Sequence, residues 1–107
     1  SIPDGTRSKS YQQFAQNYKE LSEIKNAYNA KRGSDKAAYR EKHHKDLNDF
    51  RRIDGYRKQI RKLQRQVDSL YDDPHLSSEE KTKQIRQLER QITETAFNAN
   101  KALKQKD

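Results

Sequence analysis

Cysteine is absent from this 107-residue chain, so neither disulfides nor thiolate-bound metals hold it together. Methionine and tryptophan are absent as well, glycine occurs three times and proline twice. So few turn formers exclude an architecture of many short strands. Apolar residues are also scarce, at 29% against 37% charged, a balance poorer in the first and richer in the second than an average globular domain. That excludes a thick two-layer core and leaves narrow apolar seams between helices as the natural way to bury so little surface. No run approaches the ~18 apolar residues of a membrane-spanning helix, and no signal-peptide pattern opens the chain. Position 1 is not methionine, and Ser1-Ile2-Pro3-Asp4-Gly5 reads as a linker. The expectation is one helical segment over 9–107, cut from a larger polypeptide, behind a linker over 1–8.

What is plentiful is lysine, arginine, glutamine and glutamate, the composition of long helices. The formal net charge of +8 attracts nucleic acid, anionic lipid and acidic proteins alike.

Apolar spacing predicts three helices and an all-α fold. In the first, over about 9–31, Tyr11, Phe14, Tyr18, Leu21 and Tyr28 recur at heptad intervals, with Lys25 at the intermediate position and Ala15 and Ile24 widening the stripe. Lys31-Arg32-Gly33 closes it, with cations at the negative dipole end and a glycine free to turn left-handed. Ser34 or Asp35 is then expected to cap a second helix, over about 35–71. Its track runs Tyr39, His43, Leu47, Phe50, Ile53, Tyr56, Ile60, Leu63, Val67, Leu70 at steps of three or four, and Gly55 is the expected place for any bend. Asp72-Asp73-Pro74 ends it, because the residue before proline avoids the α region. Ser77 with Glu80 three residues later is a capping box, and a third helix follows over about 78–103.

Facing positions of an antiparallel pair keep a nearly constant sum of residue numbers. Val67 with Ile85, Leu63 with Leu88, Ile60 with Ile92, Tyr56 with Ala96 and Ile53 with Ala99 all comply to within one. The second and third helices therefore form an antiparallel hairpin. The same test for the first two helices matches Tyr28 with Tyr39, Leu21 with Leu47 and Phe14 with Ile53. The first helix then completes either a three-helix arrangement or an elongated coiled coil. It can alternatively pair with another chain, because three tyrosines on one seam are common in interfaces. Tyr11, Phe14, Tyr18, Leu21 and Tyr28 are the candidate protein-interface residues.

Arg51, Arg52, Arg57, Lys58, Arg61, Lys62 and Arg65 fall within fifteen residues, opposed only by Asp54. Arg51, Lys58, Lys62 and Arg65 share one outward flank, Arg57 and Arg61 another. Such a face neutralises phosphates, each contact adding a counterion-release contribution. It can equally be a solvated face, paired with Glu89, Glu94 or Asp68. Arg51, Arg57, Lys58, Arg61, Lys62 and Arg65 are the candidate nucleic-acid or polyanion contacts, without base-specific reading. Membrane-surface binding is disfavoured, because the apolar face beside the basic one already has its match in the third helix.

Glu41-x-x-His44 has the spacing of a di-iron ligand pair, but that site needs a second copy plus two further glutamates facing inward, and the chain contains no second copy. His43 fits the seam, and His75 a turn. Asp72-Asp73 reads as helix termination rather than a catalytic carboxylate pair. With no phosphate-binding glycine loop and no clustered nucleophile, base and orienter, neither an enzyme, a metal nor a cofactor is expected.

Ile53-Asp54, Tyr56-Arg57-Lys58-Gln59-Ile60, then Asp73-Pro74-His75-Leu76-Ser77-Ser78-Glu79-Glu80-Lys81 and Ile85-Arg86-Gln87-Leu88 resemble a helical domain of the large polyvalent proteins of phages and mobile elements. That pattern is a helix, a turn of the form Asp-Pro-x-Leu-Ser-x-Glu-Glu-Lys and a returning helix, covering about residues 50–100. Proline usually follows the capping serine there, and this chain has Ser78. The resemblance implies a structural or assembly segment of a phage virion or DNA-ejection protein, located in the virion or the host cytoplasm. It would make helix–helix contacts with other chains, copies of itself included, near packaged nucleic acid. The alternative is a small basic module that binds nucleic acid by itself, with charge reversal at Arg57, Lys58, Arg61 and Lys62 together expected to abolish binding.

Overall fold

A computed structural model of the chain describes residues 8–104. Three helices make up the fold: α1 (Lys9–Ala30), α2 (Gly33–Tyr71) and α3 (Ser78–Lys104), each packed on both others. The expected linker lies outside the described residues except for Ser8, whose hydroxyl accepts from the Tyr11 backbone N–H at 3.0 Å and caps α1.

The hairpin forms as its spacing predicts. All ten seam residues are buried or half-buried, and Ile53, Ile60, Ile85 and Ile92 are almost wholly removed from solvent. The turn satisfies its own backbone. Asp73 Oδ1 accepts from the His75 N–H at 2.8 Å, and Ser77 Oγ accepts from the Glu80 N–H at 3.1 Å. Lys81 Nζ donates to the Tyr71 carbonyl at 3.0 Å, placing a cation on the negative end of α2.

The first turn differs from expectation. Arg32, not Ser34 or Asp35, occupies the N-cap position of α2, and no side chain caps it. Gly33 adopts the left-handed conformation (φ 55°) as the first residue of α2, so the reversal takes only Lys31 and Arg32.

Gly55 marks no bend. The one non-helical residue within α2 is His43 (φ −114°, ψ 22°). His44 Nδ1 lies 3.2 Å from the Glu41 carbonyl oxygen, a bond that needs the proton on Nδ1 and that draws a carbonyl away from the helical ladder. The rings of Tyr39 and His43 sit 4.2 Å apart beside it. A Cβ at Gly55 would meet nothing within 4 Å. Gly55→Ala should therefore raise stability by about 0.5–1 kcal/mol in urea unfolding, since the backbone is already helical and nothing must move.

Helix α1 folds back onto its own hairpin. Phe14 and Leu21 are buried in the common core, and the rings of Tyr11, Phe14, Tyr18 and Phe50 follow one another at 6.0, 6.4 and 5.7 Å. Asn100 pins α1 to α3: its Nδ2 donates to the Ser10 carbonyl at 3.0 Å, and its Oδ1 accepts from Asn17 at 3.1 Å. Near the first turn the α1–α2 register follows the expected sum, with Arg40 bonded to Tyr28. Farther out the Tyr18 ring still meets Phe50 on the expected register, while the Tyr18 hydroxyl reaches Asp54 and the Tyr11 hydroxyl reaches Gln64, about two turns farther along α2 for Tyr11.

The result is a staggered rod of 59 × 26 × 16 Å. All three helices run together in its middle. One end is the α2–α3 hairpin and the other the α1–α2 hairpin.

Candidate polyanion-binding face

Residues 31–65 contain thirteen lysines and arginines against five acids, while the other 72 residues hold eleven of each. The whole formal charge of +8 therefore resides in one third of the chain, running from the first turn through most of α2.

Within that third, Arg51, Lys58, Lys62 and Arg65 are all exposed. Their spacing places them opposite the buried Ile53, Ile60 and Val67, in a line about 21 Å long at 1.5 Å per residue. Lys58 Nζ lies 3.5 Å from Asp54 Oδ2, with the lysine side chain 76% exposed. Such an exposed pair is worth only a few tenths of a kcal/mol and is readily exchanged for a phosphate. Among the described residues, Arg51, Lys62 and Arg65 form no hydrogen bond or ion pair within the chain. Arg57 stands apart from this line. Its guanidinium lies 4.9 Å over the Tyr18 ring and it is half-buried, so it belongs to the α1–α2 seam. Arg61 is exposed and borders the same seam beside Tyr11 and Gln64. Four of the six candidate contacts thus share one surface, and two flank it.

The interface candidates are placed differently from one another. Phe14 and Leu21 are occupied in the intramolecular core, and Tyr11 and Tyr18 pack half-exposed against it. At these positions α1 packs within its own chain. Tyr28 lies outside that core, in a cationic environment that the heptad reading missed. Lys25 and Lys36 place their ammonium groups 5.5 and 4.9 Å from its ring, and Arg40 Nη1 donates to its hydroxyl at 3.3 Å. Lys31 sits 5.0 Å over Tyr39 nearby. These cation–π contacts hold the half-exposed lysine side chains against the rings. A lysine three residues before Tyr28 was the available hint in the sequence.

The Tyr28 phenol is held below its usual value of 10.0. The main cause is the Arg40 hydrogen bond, helped by the charges of Arg40, Lys36 and Lys25 and opposed by desolvation. In an alkaline absorbance titration Tyr28 should ionise below 10.0. Tyr28→Phe should remove that contribution, and Arg40→Gln should move it to higher pH.

Between α1 and α2 these groups border a groove of about 500 Å³, with Lys25, Tyr28, Arg40, His44, Arg51 and Lys58 on its walls. Gly55 leaves its α2 side open, and Leu47 and Phe50 supply an apolar part. Asp54 is its one acid.

The other singled-out residues are engaged in structure. The Asp73 carboxylate serves the turn, and His43 Nδ1 lies 3.9 Å from Asp46. Among the described residues no three His, Cys, Asp or Glu side chains are grouped to hold a metal ion, and no helix is long and apolar enough to cross a membrane. Comparison of the chain with family models, with curated proteins and with solved structures finds no match.

Proposed function

We propose that this chain is a non-catalytic helical module that holds nucleic acid by its phosphate backbone, through the outward face of α2. The observation that carries this reading is the concentration of the entire net charge in residues 31–65, with exposed Arg51, Lys62 and Arg65 not engaged within the described chain. Phosphate contacts of this kind set position and affinity but read no sequence. Arg57, Tyr11 and Tyr18 are held in the seam, so base stacking on these side chains is not part of the mechanism. The test is fluorescence anisotropy with labelled oligonucleotides of scrambled sequence. Binding at 50 mM salt, indifferent to sequence, should weaken with a log–log salt slope of about −3 to −4 for four phosphate contacts. Absence of binding at that salt concentration would remove the proposal.

A second reading, the assembly segment of a phage virion or ejection protein, is supported by the turn motif and by two large exposed side chains, Tyr71 (57%) and Phe97 (56%). It is compatible with the first, since a segment beside packaged DNA needs the same cationic face. It differs in requiring self-association. Sedimentation velocity showing a monomer at all concentrations, with α1 folded inward, would count against it.

A further inference from the structure

The line of cations on α2 does not end in open solvent. At its Arg51 and Lys58 end it runs into the α1–α2 groove, where the second wall brings Lys25 and Tyr28 opposite Arg40. We propose that this groove is a discrete phosphomonoester site which, given the nucleic-acid reading above, seats the phosphorylated end of a strand whose backbone then follows the α2 face.

Three features separate the groove from a generic basic surface. The first is charge. Lys25, Arg40, Arg51 and Lys58 converge on it, with Asp54 as the single acid, and that acid already lies 3.5 Å from Lys58. A surplus of three favours a terminal phosphate, which carries close to two negative charges at neutral pH, over a backbone diester, which carries one. The second is order. Lys25 rests on the Tyr28 ring and Arg40 is bonded to the Tyr28 hydroxyl, so two of the cations are held in place before any ligand arrives, which lowers the entropic cost of binding. The Arg40 hydrogen bond, with the charges of Arg40, Lys36 and Lys25, also holds the Tyr28 phenol below its usual value. The third is size. About 500 Å³ is in the range of small-molecule sites and exceeds what one phosphate occupies. Leu47 and Phe50 beside the cations give the terminal nucleoside an apolar surface.

Gly55 makes the site separable from the fold. It lines the groove, and a Cβ there meets nothing within 4 Å. Gly55→Leu should leave the helix intact, improve its propensity and fill the groove, because helical side chains lean toward the N-terminus and thus toward Arg51.

The experiment compares ten-residue thymidine oligonucleotides with a phosphate at the 5′ end, at the 3′ end or at neither, on the full chain and on Gly55→Leu. A preference of about tenfold for one phosphorylated end, falling below about twofold in Gly55→Leu while the unphosphorylated oligonucleotide binds both proteins equally, is the expected result. Equal affinity for all three, or a preference that Gly55→Leu leaves intact, overturns the site and leaves the backbone-binding reading standing. Should no oligonucleotide bind at low salt, the backbone reading falls, and thymidine 5′-monophosphate decides the groove by amide NMR shifts. Shifts confined to Tyr28, Arg40 and Gly55 and lost in Gly55→Leu keep it as a phosphomonoester site. No shifts, or shifts spread along α2 to Arg65, overturn it.

Discussion

Replacing Arg51, Lys58, Lys62 and Arg65 together by glutamate should lower the affinity for nucleic acid by three to four orders of magnitude at 0.1 M salt. Each phosphate contact contributes about 0.9 logarithmic units between 0.1 and 1 M salt, so four lost contacts remove about 3.6. The salt slope should flatten by the same count. The substitution also takes the formal charge from +8 to zero, so a control of equal charge is needed. Glutamate at the exposed Lys9, Lys19, Lys83 and Arg90 changes the net charge identically while sparing the α2 face. That control should keep most of the affinity, because contacts closer than a Debye length of about 10 Å dominate over distant charge at this salt. If both variants lose binding equally, the interaction depends on net charge and the face has no special part. Neither variant should unfold. Arg51, Lys62 and Arg65 hold nothing else in the described chain, and Lys58 is exposed where it pairs with the half-buried Asp54. Arg57 is left out of the test deliberately: its stacking on Tyr18 would mix a binding effect with loosening of α1.

The largest effect on stability is expected at Ile53. This side chain is fully buried at the level where all three helices meet: Phe50, one turn before it, contacts the Tyr18 ring, and Asp54, next to it, bonds the Tyr18 hydroxyl. Ile53→Ala leaves a cavity that three helices cannot collapse around, and should cost about 3–5 kcal/mol. Against a total of about 5–15 kcal/mol for a typical domain, that leaves the protein marginal at 37 °C. Leu63→Ala, on the same apolar track, should cost only about 1–2 kcal/mol, because Leu63 is half-exposed and its vacated space opens to water. Urea unfolding followed by circular dichroism checks the difference, which should appear in the midpoints with little change in slope. Equal losses at the two positions would mean that α1 adds nothing to burial at the centre.

Much of this architecture was legible because helical signals are local. Ser77 and Glu80, the Asp-Asp-Pro stop and the steps of three and four along α2 and α3 each act within a turn or two of chain. The α2–α3 hairpin was legible for the same reason: two helices joined by a short turn pack against each other, and the apolar seam of each is the side that is buried. The bend at His43 was not. It falls where the His44 ring lies against the Glu41 carbonyl, a contact that apolar periodicity does not encode, whereas Gly55 marked no bend. The heptad of α1 was visible but its partner was not, because tyrosines on a seam suit an intermolecular interface and an intramolecular one equally well.

The same division holds for the candidate site. The run Arg51–Arg65 was readable as a cationic stretch, and helix geometry separated its two flanks. That Arg57 is engaged with Tyr18 became visible only with α1 in place. The groove residues Lys25, Tyr28 and Arg40 lie on two helices and come together through the reversal at Lys31-Arg32.

The sequence by itself determined three helices, the antiparallel pairing of α2 with α3 and a cationic outer side of α2, since each follows from periodicity and capping within a few residues. The tertiary structure decided where α1 goes. Burial of Phe14 and Leu21, together with the Asn100 bonds to Ser10 and Asn17, returns that helix to its own chain. These contacts join residues more than 80 positions apart, and their strength depends on a geometry that no local pattern in the sequence specifies.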